Sequence, residues 1–251
     1  MKTKFVLLGI VIVLLTAGCA SNKAKEENEA LRLRKLAEAY MAENKYSHAY
    51  RELMKAQELA PKDPYIHFDL GIFFYNKKKY DLAIEEYLKA IQIKPNFATA
   101  RNNLGIVYME KNEWDKAIEV LAPITEDYVY ATPHYPNFLM GQAYFYKKDY
   151  DQARTHFQEA LELEPDYVFA RHWLGKTELE RGNTEKALRE LKKAVEEEPQ
   201  VAVFYFDLGR AQAALGNTLA ARQAFDRCAS LAEENDTLQK KVRQQKRLLT
   251  P

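Results

Sequence analysis

Cysteine is almost missing from this chain of 251 residues, which has only Cys19 and Cys228. That pair excludes a disulfide framework and any zinc site built on cysteine spacing. Glycine and proline are sparse, at nine each. Few helix breakers and many helix formers point to an all-helical protein. Charge of one sign is missing as well. The formal net charge is +1, and without the first 18 residues the chain carries 35 basic and 36 acidic side chains. Such a balance gives no basic footprint for nucleic acid. Long apolar runs are absent too: the longest, Phe5 to Ala17, has 13 residues, short of the roughly 20 that a spanning helix needs.

Catalytic patterns are equally scarce. The five histidines, His48, His67, His134, His156 and His172, never stand four apart, so no helical zinc pair forms. No serine sits in a nucleophile elbow. No glycine loop is built to cradle phosphate, and the acidic residues are spread along solvated helix faces. No catalytic residue, metal ligand, cofactor or small-molecule substrate is expected. Cys228 falls at a small-residue position and reads as an inert buried thiol.

What is present begins with an address. Lys2 and Lys4 precede the 13-residue apolar run, which ends in Leu15-Thr16-Ala17-Gly18-Cys19. Residues 1–18 resemble a bacterial lipoprotein signal peptide, with Thr16 where leucine is commoner. The resemblance implies cleavage before Cys19 and covalent lipid on its thiol and amine. Several acyl chains anchor stably where one holds only marginally. Ala20 after the cysteine implies, by the same resemblance, an outer-membrane destination facing the periplasm. Residues 19–29 are polar and read as a flexible tether.

The rest of the chain repeats. Leu70-Gly71, Leu104-Gly105, Met140-Gly141, Leu174-Gly175 and Leu208-Gly209 recur at 34, 36, 34 and 34, and Leu36-Ala37 is an earlier copy. Twelve residues after each small residue stands Ala49, Ala83, Ala117, Ala153, Ala187 or Ala221. A bulky residue follows four later: Leu53, Tyr87, Leu121, Phe157, Leu191 or Phe225. Pro61, Pro95, Pro165 and Pro199 close four copies. Small residues let two antiparallel helices approach closely, bulky ones fill the remaining space, and proline ends the second helix. These residues resemble the tetratricopeptide repeat. The expectation is a solenoid of six helical hairpins over about 30–63, 64–97, 98–133, 134–167, 168–201 and 202–235. Each hairpin needs its neighbours to bury its apolar face.

Residues 236–251 read as a capping helix. Asp236 or Thr237 can cap its start. Leu238, Val242 and Leu249 share a face, and Lys240, Lys241, Arg243, Lys246 and Arg247 cover the rest. It either solvates the open end of the array or presents a basic patch to anionic lipid or an acidic partner.

In tetratricopeptide arrays the first helices line a groove. By that resemblance the groove residues here are Tyr65, Phe68, Ile72 and Tyr75; Asn102, Asn103, Ile106 and Met109; Tyr135, Phe138, Leu139, Gln142 and Phe145; Phe169, His172, Trp173 and Lys176; and Phe206, Asp207 and Arg210. So aromatic a lining suits an apolar or amphipathic peptide, or else it fills gaps between repeats. Too few basic residues converge for a carboxylate clamp.

The third copy departs from the pattern. It carries Pro123 inside its second helix and an extended stretch through Glu126-Asp127-Tyr128-Val129-Tyr130 to Pro133, Tyr135 and Pro136. Pro123 should break that helix. With the Asn102-Asn103 start and the anchor, this is similar to the lipoproteins of type IV pilus biogenesis, the PilF/PilW/Tgl pilotin family. The resemblance implies a non-enzymatic factor that helps a secretin, the outer-membrane exit pore, to localise and assemble, its partner being a segment of the secretin subunit. A general periplasmic scaffold for envelope, cell-wall or secretion complexes is the alternative.

Overall fold

The computed structural model describes residues 23–125 and 132–249. The signal region with Cys19, and Glu126 to Tyr130 of the irregular stretch, lie outside the described residues. Among the described residues the structure is α-helical, apart from one 3-10 turn at Ala122–Ile124. Helix α1 covers 23–42, α2 Tyr46–Leu59, α3 Pro64–Asn76, α4 Tyr80–Ile93, α5 Ala98–Glu110 and α6 Trp114–Leu121. Then follow α7 His134–Tyr146, α8 Tyr150–Leu163, α9 Val168–Glu180, α10 Thr184–Glu197, α11 Ala202–Ala214, α12 Thr218–Leu231 and α13 Asp236–Leu248. Within the units, α1 with α2, α3 with α4, α7 with α8, α9 with α10 and α11 with α12 pair as tetratricopeptide hairpins. The chain divides into two compact units, Met1–Val107 and Tyr108–Pro251.

Six of the turns between successive helices use the same device. Asn44, Lys78, Asn112, Lys148, Gly182 and Gly216 have positive φ, between 55° and 80°. The residue after each donates its N–H five residues back, as in Lys79 to Phe74 at 2.9 Å and Asn183 to Glu178 at 2.9 Å. This left-handed closure satisfies carbonyls that the helix end leaves open. Only the last two turns use glycine, the residue that adopts this backbone without strain.

Ring-against-glycine contacts hold the hairpins shut. A Cβ on Gly71 would lie 2.4 Å from the Tyr87 ring, and on Gly141 or Gly209 2.6 Å from Phe157 or Phe225. Those three rings are fully buried, each contributing about 1.5–3 kcal/mol. In unit 1, Leu33, Ala37, Ala49, Leu53, Ala56, Ile66, Leu70 and Phe73 form one core. In unit 2, Ala221, Phe225, Cys228 and Val242 form another, which docks α13. Burial pushes the Cys228 thiol up to about 11, so it stays protonated and inert.

Two local expectations need correction. Residues 23–29, read as a flexible tether, belong to α1. The segment lacks glycine and proline, and Lys23–Glu27 and Glu29–Arg32 pair along the helix. Helix α13 is capped by Asn235, whose side chain accepts from Leu238 N–H at 3.0 Å, rather than by Asp236 or Thr237. Pro123 acts as expected: α6 stops after eight residues and the 3-10 turn follows.

Candidate functional site

Second helices and small residues absorb the hairpin contacts, which leaves one stripe of each first helix open. In unit 1 that stripe makes a cleft of about 250 Å³, lined by Ile72, Tyr75 and Asn76 of α3, Tyr87 of α4, and Asn103 and Ile106 of α5. Its polar groups are neutral amides and phenols. Asn103 is hydrogen-bonded to Tyr87, whose phenol burial raises well above its ordinary value.

Unit 2 carries a different surface. Met109, Glu110, Asn112, Trp114, Gln142 and Tyr146 surround a cleft of about 310 Å³. Trp114 stacks on Tyr146 with centroids 4.7 Å apart and planes 14° from parallel. The aromatic surface continues through Tyr146 to Trp173 at 5.8 Å and through Trp173 to Phe145 at 5.2 Å. The Lys176 ammonium sits 4.0 Å from the Trp173 centroid and 4.7 Å from that of Phe145. Such contacts stabilise a cation by about 0.5–2 kcal/mol.

Beside the open stripe runs a rung of inter-repeat contacts. Arg34 donates to Asp69 at 3.0 Å. Thirty-five residues likewise separate His172 and Asp207, whose side chains meet at 2.9 Å. Burial pushes the Asp69 carboxyl up to about 7, against the pull of Arg34. Burial would raise Asp207 too, but His172, Lys176 and Arg210 hold it below the usual carboxylate range.

The structure divides the residues expected in the groove. Ile72, Tyr75, Asn103 and Ile106 line the first cleft. Met109 and Gln142 line the second, and Phe145, Trp173 and Lys176 form the aromatic surface of unit 2. Tyr65 is exposed at the start of α3, where Lys94 donates to its hydroxyl at 2.9 Å. Phe169 is exposed and packs by its edge on Phe204. Tyr135 is half-buried against Phe138.

Others are not groove lining. Asn102, Phe138 and His172 are 5%, 7% and 3% exposed, and Leu139 and Asp207 are also buried. Phe138 packs on Phe157 and Tyr167, and His172 stacks on Phe204. Phe68 packs on Tyr87 and Phe97, and Phe206 on Phe225, each half-buried within its own unit. Phe68, Phe138 and Phe206 share a reason: a ring one helical turn before the small residue reaches the second helix, while His172 reaches Phe204 and Asp207 of the next repeat.

Sequence reasoning missed Asn76, Tyr87, Glu110, Asn112, Trp114 and Tyr146. Asn76 and Tyr146 stand four residues after Ile72 and Gln142, so both share a face with a groove residue. Trp114 had a further signal. Tyr46, Tyr80, Trp114 and Tyr150 open four successive second helices, 34, 34 and 36 residues apart.

Three tetratricopeptide-repeat family models match, over residues 73–112, 144–200 and 174–235. No curated protein matches the chain by sequence. Among solved structures the chain is similar to PilW, described as a widely conserved type IV pilus biogenesis factor. The TM-score is 0.75 and the identity 22%, over 84% of this chain and 97% of that one. It is similar to PilF of Pseudomonas aeruginosa at TM-score 0.74 and 19% identity, over 86% and 97% of the two chains. It is also similar to YrrB, described as a tetratricopeptide protein with an unusual peptide-binding site, at 0.60 and 19%, over 76% and 97%. At these identities the likeness establishes the fold. With three repeat models covering over half of its length and hairpins of matching register, the chain belongs to the tetratricopeptide-repeat superfamily.

Proposed function

We propose that this protein is a lipid-anchored holder of partner segments in type IV pilus biogenesis, facing the periplasm from the outer membrane. The observation that carries the holder reading is the pair of clefts. Each unit leaves open a stripe of rings, aliphatic side chains and amides on its helices. Apolar anchors of a peptide would fill the clefts, and Asn76, Asn103 and Gln142 offer hydrogen bonds to an extended backbone. The pilus context is supported by the likeness to PilW and PilF along most of all three chains. The lipobox-like Leu15–Cys19 supports the anchor.

In this reading lipid on Cys19 concentrates the protein at one membrane. The clefts sequester an apolar or amphipathic segment of a secretin subunit until it inserts. Tethering raises the local concentration of bound subunits and so favours their assembly. The test is a deletion strain examined for heat-stable secretin multimers. Complementation by wild type should restore them, and complementation by a chain with alanine at Ile72, Ile106 and Trp173 should not. Normal multimers in the deletion strain would end the secretin reading. A general peptide-holding scaffold is the second reading, favoured by the fold shared with YrrB. Partners outside the pilus machinery on affinity capture would select it.

A further inference from the structure

Lys176 is a groove cation that makes no direct ion pair among the described residues, although Asp207 and Glu180 act on it from a distance. Its ammonium lies on the Trp173 and Phe145 rings rather than beside a carboxylate. The two acidic groups that act on it from nearby are already engaged. Asp207 is held by His172 at 2.9 Å and by Arg210 at 3.1 Å, and Glu180 accepts from Arg210 at 2.8 Å. Burial, together with the charges of Arg210 and Lys241, pulls the Lys176 pKa below its ordinary value. Lys241 belongs to α13, so the basic carboxy-terminal helix contributes its field to this groove. Helix α13 is fixed there by Val242, Leu238 and Leu249 packed on the core of the last hairpin. Its outward face carries Lys240, Lys241 and Arg243, against one acidic residue in the helix, Asp236.

From this geometry, and resting on the reading of the chain as a holder of peptide segments, we infer that the groove of unit 2 is specific for an acidic-aromatic or acidic-aliphatic peptide. A carboxylate of the peptide pairs with Lys176, and its apolar neighbour lies on the Trp173–Tyr146–Trp114 surface. A partly desolvated cation with no carboxylate in direct contact is costly. A ligand carboxylate arriving there removes that cost, and the surrounding rings exclude water from the new pair. Lys240, Lys241 and Arg243 supply the longer-range field that speeds encounter and favours acidic flanking residues. The unit 1 cleft, lined by amides, phenols and isoleucines, has no such preference.

The test is selection of a random 12-residue peptide display library on the whole mature protein, in detergent, followed by affinity measurement of the selected peptides. Peptides that compete with a Trp173→Ala-sensitive site should be enriched in Asp or Glu next to Phe, Leu or Ile. Lys176→Met, which keeps the apolar stem, should weaken them about tenfold. Replacing the peptide's acid by its amide should cost the same and add nothing to Lys176→Met. Lys240→Gln with Lys241→Gln should slow association and flatten its salt dependence. Peptides without acidic enrichment, or with affinities indifferent to Lys176→Met, would overturn the inference while leaving the holder reading intact. Failure to select any groove-binding peptide would overturn both. A parallel arm uses vesicles containing phosphatidylglycerol. If Lys240, Lys241 and Arg243 matter for vesicle binding and not for peptides, α13 is a membrane contact and its part in the inference is wrong.

Discussion

Asp69 and Asp207 occupy equivalent places in their repeats, each buried and each paired with a residue 35 positions earlier, yet their charges are managed differently. Asp69 in unit 1 faces one cation, Arg34, with Glu38 competing for it. Asp207 in unit 2 faces His172, Arg210 and Lys176. The open stripes beside them differ in step. Unit 1 offers a neutral cleft of amides, phenols and isoleucines, while unit 2 offers stacked rings crossed by the Lys176 ammonium. A repeat scaffold fixes where side chains stand and leaves their chemistry free, so one fold can hold two kinds of surface.

The largest effects that separate the hairpins should come from closing them. Gly71→Ala and Gly141→Ala drive a methyl into the rigid rings of Tyr87 and Phe157 and should each cost about 1–3 kcal/mol in urea melts. At Gly175 the nearest atoms are Leu191 Cγ at 2.8 Å and the Ala187 carbonyl oxygen at 3.3 Å, a looser contact than the rings make. There the gain of about 1 kcal/mol in helix propensity should offset part of the clash, so Gly175→Ala should lose less than the other two. Equal losses at all three sites would break the distinction between ring-filled and leucine-filled hairpins.

The two units should also respond oppositely to pH. Asp69 and His67 in unit 1 have folded-state pKa values above their unfolded values, Asp69 through burial and His67 chiefly through its hydrogen bond to Glu86. Their stabilising contributions are present at low pH and are lost as pH rises through the folded values. His156 in unit 2 is depressed by burial, so it destabilises the folded state as pH falls below about 6.5. Acidification from pH 8 to 5.5 should therefore strengthen amide protection in α3 and α4 and weaken it in α7 and α8, read by hydrogen exchange. Parallel changes in both units would contradict these electrostatics.

Smaller effects should come from the turns. Lys78 and Lys148 hold positive φ without being glycine. Lys78→Gly and Lys148→Gly should each change stability by less than about 1 kcal/mol, as relief of strain offsets the added unfolded-state entropy. Gly216→Ala should lose about 1 kcal/mol. The smallest change is expected at Asn102, whose buried Oδ1 has no hydrogen-bond partner among the described residues. Asn102→Leu should be neutral or slightly stabilising in the same melts.

Much of the fold could be read in advance because glycine, alanine and bulky residues recur at fixed spacing and each has a steric reason to do so. The first residues of α3, α5, α7, α9 and α11 fall at 64, 98, 134, 168 and 202, where the repeats were expected to begin. The candidate site was legible only in part. Periodicity places Phe68, Ile72 and Tyr75 along one helix, but it does not tell a ring that covers a cleft from one that fills a core. Phe138 and His172 went inward because second-helix and next-repeat side chains reach them. Trp114 was overlooked because it starts a second helix, outside the elements taken to form the groove. The turn residues Lys78 and Lys148 gave no signal at all, since lysine has no preference for positive φ.

The central claim is that the open stripe of the first helices holds the partner. It is tested most directly by a photocrosslinking amino acid placed in cells at Ile72, Ile106 or Tyr146, with Leu88 as the control. Leu88 is 47% exposed on a second helix and lines neither cleft. The account predicts crosslinks from the three groove positions to a secretin subunit and none from Leu88. Crosslinks from Leu88 alone, or equally from all four positions, would contradict it.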